Sequence, residues 1–273
     1  MSRAESTSQP AARLHLSVIV PAWNEAGRLE AMVRDTLAYL RGRARPFEVV
    51  VVDDGSTDGT SDVVRRIEDD APELRLIRLP RNRGKGHAVR TGVANARGAL
   101  ILFADADGAT PIAELERLEI ALADGAAVAI GSRALREAGI AVNARPLRRV
   151  IGRAFHALVR LLAVRGYRDT QCGFKLFRSD AAHDLFHRLH TERFAFDVEI
   201  LVAARVRGHA VREVPVNWTH QPGSRINLVT DSFRMAVDLL RIRWRAARGV
   251  YDDDGVAESD RDSRTTERIS SPH

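Results

Sequence analysis

The chain has 273 residues, 45% of them hydrophobic and 29% charged, enough for one large α/β domain or two small ones and too apolar for disorder throughout. Its single cysteine, Cys172, excludes an intramolecular disulfide and a cysteine-based zinc cluster and fits a reducing compartment. The net charge is +6, but residues 251–273 carry seven acids and three arginines, so the rest stands at +10 and favours an anionic partner.

Residues 1–13 are polar and Ser/Ala-rich and read as a disordered leader. Leu16–Val20 is an apolar run stopped by Pro21, a first strand, followed by an amphipathic stretch from Glu25 to about Leu40. Phe47–Val52 is a second strand ending in Asp53-Asp54-Gly55-Ser56, with a helix from near Thr57 burying Val63, Val64 and Ile67. Leu74–Leu79 is a third strand and Gly84–Ala96 a helix. Leu100–Ala104 is a fourth strand, with a helix from near Pro111, and Ala127–Ile130 a fifth, ending at Gly131-Ser132-Arg133. This alternation predicts a mostly parallel sheet wrapped by helices on both faces.

The second half differs in texture. Residues 146–165 place Leu147, Val150, Ile151, Leu158, Leu161 and Leu162 among five arginines. Residues 225–248 set Phe233, Val237, Leu240 and Trp244 against a basic face. Both patterns suit ordinary surface helices and also basic helices lying on an anionic membrane. No apolar run approaches the ~20 residues of a spanning helix. From Tyr251 onward the chain is polar and acidic and is expected to be disordered.

Polar motifs fall where strands end, the edge at which open α/β sheets bind ligands. Asp105-x-Asp107 closes the fourth strand, and side chains two apart on a strand face the same way. The pair reads either as a polar turn capping the Thr110-Pro111 helix or as two carboxylates bracketing Mg²⁺ or Mn²⁺. Asp53-Asp54-Gly55 reads either as a capped turn or as acceptors for a uracil or ribose. The first strand lacks the Gly-x-Gly-x-x-Gly turn of hydride-transferring enzymes, Gly84-Lys85-Gly86 is not a phosphate-binding P-loop, and no nucleophile elbow is present. Aromatics at 5% offer few stacking platforms, so nucleic acid is not expected as a partner.

The segments Val18-Ile-Val-Pro-Ala-Trp-Asn-Glu25, Val51-Val-Asp-Asp-Gly-Ser-Thr-Asp58 and Asp105-Ala-Asp107 resemble the signatures of inverting family-2 glycosyltransferases. Arg81-Asn-Arg-Gly-Lys-Gly86, Asp105-Ala-Asp-Gly-Ala-Thr110, Asp169-Thr-Gln-Cys-Gly-Phe-Lys175, Arg193-Phe-Ala-Phe-Asp-Val-Glu199 and Glu213-Val-Pro-Val-Asn-Trp218 resemble the dolichyl-phosphate β-glucosyltransferase branch. The resemblance spans about residues 16–245. It implies a Rossmann-like GT-A domain over 14–248 with C-terminal amphipathic helices; beyond it, composition predicts an acidic disordered tail over 249–273. The donor would bind in residues 14–133 and the acceptor and membrane in 134–248.

By the same resemblance, the activity is transfer of glucose from UDP-glucose to a polyprenyl phosphate with inversion. Alternatives are another nucleotide sugar (GDP-mannose, UDP-GlcNAc), a non-lipid acceptor, or a catalytically silent nucleotide- or membrane-binding domain. Pro21, Ala22, Asn24 and Glu25 would line the base and ribose pocket, Asp53 would contact the base, and Asp54 would also bind the donor. Lys85, next to Gly86, would reach the nucleotide or its phosphates. Asp105 and Asp107 would hold Mg²⁺ or Mn²⁺ on the diphosphate, and Arg133 and Arg148 would grip the lipid phosphate. Asp169, Gln171 and Glu199 would face the cleft and help select the sugar or support the metal shell, and His220 and Arg225 would close over the donor. Two departures stand out: Ala109 replaces a metal-ligating glutamine of the related mannosyltransferases, and Gly152 an acceptor serine. The single cysteine, the lack of a spanning run and the basic amphipathic stretches lead to the expectation of a cytoplasmic protein, peripheral at the cytoplasmic membrane face.

Overall fold

A computed structural model describes residues 14–135, 137–143, 166–221 and 228–252. The first half follows the expected alternation: β1 (Leu16–Ala22), α1 (Leu29–Gly42), β2 (Phe47–Asp53), α2 (Thr60–Glu68), β3 (Leu74–Arg78), α3 (Lys85–Ala94), β4 (Leu100–Ala104), α4 (Leu115–Ala123) and β5 (Val128–Ser132). A short β6 (Val142–Asn143) follows, then β7 (Phe174–Arg178), α5 (Ser179–His187), α6 (Phe196–Val206), β8 (Val211–Pro215), β9 (Trp218–Thr219) and α7 (Leu228–Ala247).

Seven strands form one sheet in the order β3-β2-β1-β4-β7-β5-β8. All neighbours pair in parallel except β7, which runs antiparallel between β4 and β5. Pro21 lies inside β1 rather than ending it. Pairing with β4 stops at Ile19↔Phe103, whereas pairing with β2 continues to Ala22↔Asp53. A residue without an N–H is tolerated where one neighbour has already departed.

Strand alternation divides the core between the two faces of the sheet. Val18, Val20, Val49, Val51, Leu102 and Ala104 pack with Leu29, Val33 and Leu37 of α1, Val63 and Ile67 of α2, and Leu115 and Leu118 of α4. Ile19, Val50, Val52, Ile101, Phe103 and Ile130 pack with Val89 and Val93 of α3, Phe186 of α5, Ile200 and Leu201 of α6, and Leu239 and Ile242 of α7. Each Val, Leu, Ile or Phe side chain so removed from water contributes ~1.5–3 kcal/mol.

Two expectations change in the C-terminal region. The buried face of α7 runs through Leu239 and Ile242, each 0% exposed, while Leu240 and Trp244 are each 54% exposed. Neighbours at i+3 share a face with 239, which leaves 240 and 244 on another face. Tyr251 is not part of a disordered tail: it is fully buried, its hydroxyl donating to Glu199 at 2.7 Å. The leader, the 146–165 stretch and residues 253–273 lie outside the described residues.

Candidate active site

Asp105 follows β4 directly, and its backbone N–H donates to the Gly173 carbonyl at 2.9 Å. That bond joins the acidic turn to the segment entering β7. A Cβ on Gly173 would fall on the Asp105 carboxylate, so glycine is the residue that lets the carboxylate lie there. Asp107 is half-buried, with one oxygen accepting the Ala109 N–H at 3.0 Å. Burial, with the neighbouring Asp105 charge, pushes the Asp107 carboxyl above the usual carboxylate range. Two hard oxygen donors held together at a strand end, one pushed up in this way, fit a divalent cation, which would relieve their repulsion.

Cations surround this pair. Lys85 Nζ lies 2.6 Å from Asp105 Oδ1 and over the Phe103 ring at 4.9 Å. Burial pulls the Lys85 ammonium down, but the carboxylates of Asp105, Asp197 and Asp107 outweigh it and raise it. Arg28, held by Glu25, feels the fields of Asp107 and Asp105. Arg133 sits at the end of β5 and is clamped by Asp169: Nε to Oδ2 at 2.7 Å, NH2 to Oδ1 at 2.9 Å. Its guanidinium also lies 5.5 Å from the Trp218 ring centroid. The Asp169 clamp leaves the NH1 edge of the Arg133 fork for another anion.

Several acids expected in the cleft are scaffold instead. Asp53 is fully buried, its oxygens accepting from the Ser56 N–H and the Ser61 hydroxyl, so it folds the turn after β2 and presents no exposed surface to a base. Asp54 is 2% exposed and accepts the N–H groups of Arg83 and Gly84 at 3.0 and 2.7 Å, fastening the loop that carries Lys85. Asp169 is committed to Arg133 and to the Gln171 N–H, so it orients the arginine rather than a sugar. Opposite charge and these hydrogen bonds overcome the effect of burial and hold its carboxyl well below the usual range.

Glu199 is likewise not in the cleft. It is fully buried and accepts the His190 and Thr191 N–H groups at 3.1 and 2.7 Å, the Tyr251 hydroxyl and, at 3.4 Å, Arg245. Gly86 is buried where a Cβ would meet the Thr191 carbonyl at 2.7 Å and Phe196 Cβ at 2.8 Å, so it serves close packing rather than a substrate.

The first-strand loop is placed as expected. Pro21 and Ala22 are buried at the end of β1, and Asn24, with φ +54°, bridges to the β2 loop. Its N–H donates to Ser56 Oγ and its side-chain carbonyl accepts from the Thr57 N–H, each at 2.8 Å. Glu25 is tied to Arg28. Gln171 is half-buried beside the clamp. Ala109 is buried, and its carbonyl accepts the Thr219 N–H at 2.9 Å, which brings β9 and the adjacent His220 to the acidic turn. Arg148, Gly152 and Arg225 lie outside the described residues.

Three features escaped the sequence reading. Lys175 and Asp197 form a buried pair at 2.5 Å beneath the site, and Lys175 also donates to the Cys172 carbonyl at 2.6 Å. A lysine inside the apolar run Phe174–Phe177 was the available signal. Glu213 accepts the Ser132 hydroxyl and the Arg168 and Asp169 N–H groups, holding the clamp to β5. Arg28 carried no signal beyond its three-residue spacing from Glu25. Cys172 is buried, which pushes its thiol up to about 12 and leaves it no nucleophilic role.

The model for glycosyl transferase family 2 matches residues 17–186. A human dolichyl-phosphate β-glucosyltransferase is 43% identical over 249 residues, 86% of this chain and 77% of the human one. Its counterpart from Saccharomyces cerevisiae is 40% identical over 88% of this chain and 77% of its own length. Among solved structures, glucosyl-3-phosphoglycerate synthase from Mycobacterium tuberculosis, in complex with UDP, superposes with TM-score 0.64 at 19% identity, covering 86% of this chain and 80% of that one. Mannosyl-3-phosphoglycerate synthase from Rubrobacter xylanophilus gives TM-score 0.60 at 20% identity, over 90% and 77%. These neighbours share the GT-A α/β architecture described above. An acidic pair at a strand end, ringed by cations on a seven-stranded mixed sheet, is therefore carried by a member of glycosyl transferase family 2, close in sequence to the dolichyl-phosphate β-glucosyltransferases.

Proposed function

We propose that this chain transfers glucose from UDP-glucose to a polyprenyl phosphate of the dolichyl type, with inversion at C1, while docked on the cytoplasmic face of a membrane. The observation that carries the reading is the grouping of Asp105 and Asp107 with Lys85 and the clamped Arg133, an arrangement built to receive anions beside a divalent cation. Support for the substrates comes from relatives named for dolichyl phosphate and glucose, and from a structural neighbour crystallised with Mn²⁺ and UDP-glucose.

Asp105 and Asp107 are the residues that would hold Mg²⁺ or Mn²⁺. When bound, the cation neutralises charge on the diphosphate leaving group. Asn24 and the Ser56–Thr57 turn present the nucleoside end of the cleft, and Lys85 offers an ammonium to the phosphates. Arg133 donates from its free edge to the acceptor phosphate, held in line by Asp169. A lipid monophosphate is already anionic near neutral pH, so its oxygen attacks C1 without a general base. The new C1–O bond forms as the bond to UDP breaks, and attack opposite the leaving group turns the α-linked donor into a β-linked product. The chain's contribution is to hold two anions together in register.

Membrane docking falls to α7, whose Leu240 and Trp244 project outward beside exposed Arg241, Arg243 and Arg248. The test is a panel of nucleotide sugars assayed with polyprenyl phosphate and with a soluble phosphate acceptor, products read by mass, in wild type and Asp107→Asn. Glucosyl phospholipid from UDP-glucose, lost in Asp107→Asn with an unchanged melting temperature, is expected. Transfer to the soluble acceptor alone would overturn the lipid assignment, and full activity of Asp107→Asn the metal assignment.

A further inference from the structure

Lys85 does not wait in open solvent for a phosphate. Its side chain is 19% exposed, with Nζ 2.6 Å from Asp105 Oδ1 and the Phe103 and Phe196 rings 4.9 and 6.0 Å away. The base of the side chain is immobilised. Asp54 accepts the Gly84 N–H at 2.7 Å, and the carbonyls of Glu192 and Thr191 press on Gly84 and Gly86 so closely that neither has room for a Cβ. The ammonium therefore reaches from a rigid base onto the carboxylate that the divalent cation needs.

The charge balance gives this contact a consequence. Around the site, Arg28 pairs with Glu25, Arg133 with Asp169 and Lys175 with Asp197. Among the described residues, what remains is Lys85 against Asp105 and Asp107, a balance of one negative charge. Without the lysine two would remain, the match for a divalent cation. With it, a cation arriving alone leaves excess positive charge in a partly buried cleft, where charge is costly. A cation arriving with a diphosphate does not, because the lysine then has a new anion to meet. The length and flexibility of the side chain allow that exchange while its backbone stays fixed.

We propose, resting on the metal role of Asp105 and Asp107, that Lys85 is an internal counter-ion: it competes with the divalent cation for Asp105 and passes to the donor's diphosphate when the nucleotide binds. Cation and nucleotide are then coupled through the lysine as well as through their own contact, and the coupling is reciprocal. The direct cation–phosphate contact survives removal of the lysine, so the measurement that isolates Lys85 is the affinity for the cation alone.

The experiment titrates the full chain with Mn²⁺, reading free Mn²⁺ by electron paramagnetic resonance, with and without UDP. It compares wild type with Lys85→Met, Lys85→Gln, Lys85→Arg and Asp107→Asn, each checked by thermal melting. Lys85→Met and Lys85→Gln are expected to bind Mn²⁺ alone about tenfold more tightly than wild type and to bind UDP more weakly. Lys85→Arg, which keeps the charge, is expected to bind Mn²⁺ as weakly as wild type. Folded Met and Gln variants that bind Mn²⁺ no more tightly than wild type overturn the counter-ion role. Asp107→Asn binding Mn²⁺ as wild type does would instead overturn the metal reading, a separate result.

Discussion

Replacing Asp169 by asparagine tests whether an acid within reach of substrate acts on it or on its neighbour. The wild-type carboxylate accepts four hydrogen bonds: Arg133 Nε at 2.7 Å, Arg133 NH2 at 2.9 Å, the Arg133 backbone N–H at 3.0 Å and the Gln171 N–H at 3.1 Å. An amide keeps one acceptor oxygen and turns an NH2 group toward a guanidinium that can only donate. Breaking a fully buried pair costs ~3–5 kcal/mol. The Arg133 side chain is 33% exposed and can turn partly to water, which brings the expected loss to about 2–3 kcal/mol. For a domain of this size that lowers the melting temperature by roughly 5–10 °C. The functional effect is separate. An arginine no longer held in line gives up a charge-assisted hydrogen bond of ~1.5–3 kcal/mol to the acceptor phosphate, which raises the acceptor KM about ten- to a hundredfold. The donor KM should stay within about twofold. Steady-state kinetics with each substrate varied in turn reads the split. A rise in donor KM with acceptor KM unchanged would return Asp169 to the sugar and refute the clamp. The pH dependence has a defined sign. The folded-state carboxyl lies below its unfolded value of ~3.9, so the stability it supplies is present above that pH and is lost as pH falls toward the folded value. The melting-temperature gap between wild type and Asp169→Asn should therefore narrow below about pH 4.

Two further outcomes follow from α7 and what succeeds it. The double variant Leu240→Glu, Trp244→Glu alters side chains that are each 54% exposed, so melting should move by no more than a degree or two while binding to anionic liposomes falls roughly tenfold; undiminished co-sedimentation would move the docking surface elsewhere. Tyr251→Ala removes a fully buried ring and its bond to Glu199, with an expected loss of ~3–5 kcal/mol in urea unfolding; a midpoint equal to wild type would return this residue to the tail.

The first half of the fold was legible because each strand is an apolar run closed by a polar turn, and each helix repeats its apolar residues at helical spacing. Boundaries drifted by a few residues where capping decided them: α2 begins at Thr60 after Gly59 in a left-handed conformation, not near Thr57. The second half was less legible for physical reasons. β7 enters the sheet antiparallel, a choice made by tertiary pairing with β4 and β5 that no local pattern announces. On α7 the apolar residues at 239, 240, 242 and 244 are nearly continuous, so periodicity could not tell which face the core would take. Tyr251 looked like the start of the tail because its neighbours are aspartates, whereas its ring joins the core cluster and its hydroxyl bonds a glutamate 52 residues earlier in the chain.

The acids of the site separate by what already occupies their lone pairs. Asp54 and Glu199 each accept two backbone N–H groups, Asp53 one with a serine hydroxyl, and Asp169 two with a bidentate arginine. Glu213 takes two with a serine hydroxyl. Such carboxylates are spent on holding loops, and burial of this kind is affordable because the hydrogen bonds replace water. Among the described residues, Asp105 accepts a lysine ammonium and no backbone N–H, and Asp107 accepts one. Each carboxylate lies in the other's field, which raises Asp107, an arrangement that folding alone gives no reason to keep. From sequence all seven look alike, acids near strand ends and loops. The distinction between scaffold and chemistry appears once the backbone N–H groups have been accounted for, and it leaves the Asp105–Asp107 turn, with Lys85 and Arg133 beside it, as the place where charge was arranged for something other than the fold.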